Sequence, residues 1–385
     1  MNAEPTESSK GQMNIRFLNI TLLAFAVLAN PCAFSSQLLY VSSSGENTIL
    51  AYAVNQETGE LALKFKTGLS SSPGFITFSP DGRLMYVGTH EDGAAGVATL
   101  QRNDDGSLSL EGQAQATSSC TYMSTDKAGQ FLLACHYSAG EISIYRIVDG
   151  ICTSEMTEHK KTEHTAHCIE LDPSGRFVFV PHTSPNKVYQ FRFNAQDGTL
   201  TPNDPPFVEG PDKNHRYHEP RHYVHHPVLD MAYTSSEFGG GITAWKFDPV
   251  TGTLKRLKTL STLRPQSVGK FYAADIWMTP NGRFAYVSNR DQTPREPGDP
   301  KQDSLAGFSL DSKTGEMTAV GSFPAPNEPY AFCIDRSGRF VYSAGTSTST
   351  LFAYRIDQQT GRLTHFATYP TGKGTVSLIC GDTKE

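Results

Sequence analysis

Beyond residue 35, no stretch of this 385-residue chain repeats apolar side chains at helical spacing. A fold built on amphipathic helices is excluded, and strands must carry the core. Basic clusters are also missing, since 33 Lys and Arg are scattered among 39 Asp and Glu for a net charge of -6. A nucleic-acid partner needs a basic face, so none is expected. The apolar run Phe17–Ala29 is interrupted by Asn19 and Thr21 and falls short of the roughly 20 residues that cross a bilayer. No membrane anchor is expected. No CxxC pair occurs, and Cys120, Cys135, Cys152, Cys168, Cys333 and Cys380 mostly sit in apolar, strand-like runs. They read as buried free thiols rather than a disulfide framework.

The N-terminus has sparse positive charge (Lys10, Arg16), the short apolar run and a small-residue exit at Ala33-Phe34-Ser35. This is the pattern of a secretory signal over residues 1–35, with Met13 as an alternative start and 36–385 as the mature, exported domain. Cys32 follows Asn30-Pro31, which suits a lipoprotein site poorly.

Two turn signatures alternate along the chain. The first, Thr or Asp followed by Gly, occurs at Gly59, Gly106, Gly150, Gly198, Gly252, Gly315 and Gly361, spaced 44 to 63 residues apart. That is the period of a four-stranded propeller blade. The second is Pro-x-Gly-Arg leading into an aromatic and β-branched strand: PDGRLMYV from Pro80, PSGRFVFV from Pro173 and PNGRFAYV from Pro280, with variants at Lys127 and Arg336. Gly there accepts positive φ, and the alternation that follows is strand chemistry. The expected mature chain opens on a second strand (QLLYVSS) and ends on an orphan inner strand (GTVSLICG). Letting the last strand complete the first blade closes the ring and removes free edges. The expected fold is a single all-β, seven-bladed propeller. A solenoid of equal period leaves the missing strand unexplained.

The repeat places side chains. His90, Glu237 and Arg290 lie ten residues after their turn prolines, and His182 lies nine after Pro173. His167 and Arg221 lie six before Pro173 and Pro227. All six are expected at one mouth of the central channel, and Arg221 and Glu237 come from the unit richest in histidine (His215, His218, His222, His225, His226). Two guanidiniums suit a carboxylate, a phosphate or the oxyanion formed when water attacks an ester. A Glu near a His can activate that water and pass the proton on. Histidine spacings of three lack a helix on which to converge, so no metal and no other cofactor is expected.

These residues resemble a known family, the seven-bladed propeller lactonases of the bacterial 6-phosphogluconolactonase and fungal carboxymuconate lactonising enzyme type. The likeness spans residues 38–381. It rests on the PDGRLMYV turns, EPRHYVHHP from Glu219, SSEFGGGITAWKFD from Ser235 and WMTPNGRFAYVSNR ending at Arg290. It implies a catalytic set of Glu237, His182, Arg221 and Arg290; His167, His90 and His222 are expected beside them as substrate contacts. Many phosphogluconolactonase-like members have an acidic residue where this chain has His182, and the muconate branch has His, so substrate class stays open. Insertions at Pro205–Tyr217 and Pro294–Gln302 flank the set.

The expectation is a metal-independent lactone hydrolase, monomeric, acting on a small lactone or anionic sugar. Two alternatives use the same scaffold: a carboxymuconate-type cycloisomerase and a propeller that binds without turnover.

Overall fold

The computed structural model describes Met1, residues 37–296 and residues 298–382. The expected signal segment, with Cys32, falls outside the described residues except for Met1. The described residues form 28 strands, β1 (Gln37–Ser43) to β28 (Thr375–Asp382), and no α-helix. Four consecutive antiparallel strands make each of blades two to seven, while blade one has the order β28, β1, β2 (Thr48–Val54), β3 (Leu61–Gly68). The expected closure is present, with β28 paired to β1 from Gln37↔Asp382 to Ser43↔Thr375. Blades five and six merge into one sheet through a single pairing, Phe238↔Tyr272.

What joins neighbouring blades follows from the two turn signatures. A tyrosine six residues beyond the first residue of the inner turn (Pro80, Pro227, Pro280 or Arg336) donates its hydroxyl to the carbonyl of the outer-turn glycine on the next blade. Examples are Tyr86 to Gly150 at 2.8 Å, Tyr233 to Gly315 at 2.7 Å and Tyr286 to Gly361 at 2.7 Å. Tyr342 to Gly59, at 2.8 Å, makes the same bond across the ring closure. Each buried bond of this kind contributes about 1 kcal/mol and leaves no polar atom orphaned. At the corresponding glycine of blade five, Gly252, φ is +73° and a Cβ would run into the ring of Phe177. Only glycine fits there.

Strand alternation sorts the remaining side chains. In β13 (Phe177–His182), Phe177 and Phe179 face blade five, packing with Tyr223, Ala232 and Trp245. Val178 and Val180 face blade three, packing with Cys135, Ile142 and Ile144. The six described cysteines are buried free thiols, as their apolar surroundings suggested.

Candidate active site

All seven innermost strands, or the residues that lead into them, line one central cavity of about 370 Å³. Its wall is divided. Blades one and two contribute Val376, Leu378, Phe75 and Thr77; blades four to six contribute His167, Glu170, Arg221, His222 and Asp275.

Local irregularities aim the charged groups. In β16 (His218–His225) the pairing to β17 (Met231–Phe238) jumps from Pro220↔Ser236 to Tyr223↔Thr234, so Arg221 and His222 share a bulge. In β20 (Phe271–Met278) it jumps from Ala273↔Asn289 to Ile276↔Val287, so Asp275 sits in a second bulge. An extra residue bends the strand and turns a side chain that the pleat would bury elsewhere. Ser235 and Ser288, each eight residues past its turn proline, satisfy the freed backbone. Their hydroxyls accept from His222 N at 3.1 Å and Asp275 N at 3.0 Å.

Glu237 ties two arginines together. Its Oε1 accepts from Arg290 Nη2 at 2.5 Å and lies 3.6 Å from Arg221 Nε. The Phe238↔Tyr272 pairing holds the end of blade five against blade six, and so sets this contact. Tyr330 of blade seven lies beneath both cations, with its ring centroid 4.4 Å from Arg290 Cζ and 5.9 Å from Arg221 Cζ. Burial and the charge of Arg290 push the Arg221 guanidinium down to about 10, so it stays protonated at neutral pH.

His167 is buried, edge-on to His222 at 5.2 Å and to Tyr137 at 5.2 Å, and its Nδ1 has no hydrogen-bond partner among the described residues. Burial, then the positive charge of Arg221, holds its imidazole well below the usual range. It is a neutral ring with a free nitrogen beside a cationic pair.

His182 does not join this group. Nine residues past the turn, rather than ten, places it on the opposite pleat, with Val178 and Val180. Its Nδ1 lies 3.1 Å from the His164 carbonyl oxygen and its ring packs on Tyr189 at 4.9 Å. The residue ten past Pro173 is Thr183, also buried. His90 is exposed, bonded to Ser119 Oγ at 3.1 Å, and does not line the cavity. Of the clustered histidines, His222 lines the cavity. His218 stacks on Phe238, His225 bonds Tyr223, and His226 caps the turn at Val228 and Leu229.

A family model described as "Lactonase, 7-bladed beta-propeller" matches residues 38–380. This chain belongs to that family. It is 30% identical over 342 residues to a 6-phosphogluconolactonase of Yersinia enterocolitica, covering 88% of this chain and 96% of the relative. A 6-phosphogluconolactonase of Yersinia pseudotuberculosis matches at the same identity and coverage. The solved structure of a periplasmic gluconolactonase from Pseudomonas aeruginosa superposes with a TM-score of 0.81 at 22% identity, covering 91% of this chain and all of that one.

Two polar groups of this lactonase-family site went unread in the sequence. Asp275 lies five residues before Pro280, as His222 does before Pro227. Glu170 lies three before Pro173, as Trp277 does before Pro280. The repeat count that found Arg221 at six would have found both. Tyr122 donates to Glu170 Oε1 at 2.6 Å, and burial raises the Glu170 carboxyl to about 7.

Both insertions buttress the charged wall. The carbonyl of Arg216, in the first, lies where a Cβ on Gly239 would stand, so the turn after Glu237 requires glycine. The second is tied to Asp291, next to Arg290, through Arg295 at 2.5 Å and the backbone of Gln302 at 2.9 Å.

Proposed function

We propose that this protein opens a lactone ring by water attack, with Arg221 and Arg290 binding the developing oxyanion and any acidic group of the substrate. The observation that carries the reading is the Arg221–Glu237–Arg290 cluster beside a cavity wide enough for a sugar ring. Both arginine contacts fall on Oε1 of Glu237, so Oε2 is the oxygen that takes a proton from the attacking water. The hydroxide adds to the carbonyl carbon, the oxyanion is held by the guanidiniums, and collapse breaks the ring C–O bond. His167, in place of His182, relays the proton to the leaving alkoxide. The product is an open hydroxy acid.

The chain is an exported enzyme in this proposal, resting on the N-terminal signal pattern; the P. aeruginosa relative is itself described as periplasmic. No helix among the described residues is long and apolar enough to cross a membrane. Export favours an unphosphorylated aldonolactone over a phosphorylated one. Acid release from gluconolactone and 6-phosphogluconolactone, measured above spontaneous hydrolysis, tests this. Faster opening of gluconolactone supports both claims, and no acceleration of either lactone refutes the reading.

A further inference from the structure

Beside the arginine cluster, on the cavity wall, stands a hydrogen-bonded pair that the proposed reaction does not use. His222 Nδ1 lies 2.8 Å from Asp275 Oδ1, and His222 Nε2 lies 3.2 Å from Arg221 Nη1. We propose that Asp275 is a positioning residue: it fixes His222 in the Nδ1–H tautomer so that Nε2 can accept from Arg221 and hold that guanidinium against Glu237.

The two ends of the imidazole reach this assignment independently. Asp275 is surrounded by donors. Oδ1 also accepts from Ile276 N at 2.9 Å, while Oδ2 accepts from Trp277 Nε1 at 3.1 Å and Phe332 N at 3.4 Å. A carboxylate only accepts, so the nitrogen facing it carries the proton. A guanidinium only donates, so the nitrogen facing Arg221 is bare. One neutral tautomer satisfies both, and the other sets an N–H against an N–H. Burial, then the Arg221 charge, disfavours the imidazolium. The ring cannot turn away, being edge-on to Tyr122 at 5.1 Å and to His167 at 5.2 Å.

The pair exists only because bulges in adjacent blades face each other. Ser235 Oγ, which accepts from His222 N, donates to the carbonyl of Ala274 at 2.8 Å and so links them. The chain Asp275–His222–Arg221–Glu237–Arg290 therefore crosses from blade six to blade five and back. Displacing Arg221 by about an ångström costs on the order of 10²-fold in rate.

This inference rests on the lactonase reading for its kinetic consequence but not for the tautomer. In the wild-type protein labelled with ¹⁵N-histidine, two-bond ¹H–¹⁵N correlation should show His222 neutral and protonated at Nδ1; the Nε2–H form or an imidazolium overturns the proposal. Asp275→Asn should move the proton to Nε2 and lower kcat/KM about 10²-fold, a loss shrinking to less than about threefold in a His222→Gln background. Equal losses in both backgrounds would make Asp275 a structural acceptor only and overturn the proposal. If Asp275→Asn does not fold, the wild-type tautomer decides. If the wild type opens no lactone, the functional reading fails and the tautomer still decides this one.

Discussion

Blades four and five each turn at a proline, Pro173 and Pro227, and the strand after it ends in each at the channel mouth. In blade four that strand offers His182 nine residues past the turn, and in blade five Glu237 ten residues past. The single step puts the first in an interblade core beside Tyr189 and the second in an ion cluster with Arg290 and Arg221. A pleat has period two, so a displacement of one residue exchanges the two faces of a sheet. Proximity along a repeat says which end of a blade a side chain occupies; parity says whether it faces the next blade or the previous one.

The comparison breaks first at the arginines. Arg221→Ala removes the buried guanidinium proposed to hold the developing oxyanion, and kcat/KM should fall about 10³-fold in lactone opening, with circular dichroism unchanged. The histidines sharpen it. His167→Gln should lower kcat about 10²-fold, whereas His182→Ala should leave kcat within about twofold and cost about 2 kcal/mol in urea unfolding. A reversed pair of results would return His182 to the mechanism.

Titration gives a smaller signal in stability. Burial pushes His182 and His225 each down to about 4, against about 6.5 when unfolded. The unfolded chain then binds more protons, so stability is lost as pH falls from about 6.5 through about 4. Glu170 acts oppositely, since a carboxyl raised to about 7 favours the protonated fold, and stability is lost as pH rises from about 4.5 through about 7. Melting temperature should therefore sag on both flanks, with Glu170→Gln lifting the alkaline flank and His182→Gln the acid one. The smallest effect is expected at His90→Ala, where an exposed side chain bonded to Ser119 should change kcat/KM by less than about twofold.

The ring was legible because its turns are chemical: a glycine at positive φ under a tyrosine hydroxyl leaves a recurrent mark at Gly150, Gly315 and Gly361. Closure was legible because TVSLICG has no partner in its own unit. Arg221, Glu237 and Arg290 could be placed together because regular strands carry equal offsets to equal heights. His182 was misplaced by parity. Asp275 and Glu170 were missed because only one backward offset was followed, and the bulges that turn Asp275 and His222 toward each other leave no mark in composition. That the buried Nδ1 of His167 has no hydrogen-bond partner among the described residues depends on the packing around it, and no spacing rule reports it.

The most direct measurement is the initial rate of gluconolactone opening by the wild type, Glu237→Gln and His182→Gln side by side at controlled pH. The account predicts acceleration by the wild type, a loss of about 10²–10⁴-fold for Glu237→Gln, and near wild-type turnover for His182→Gln. Turnover that survives Glu237→Gln but disappears with His182→Gln would contradict it.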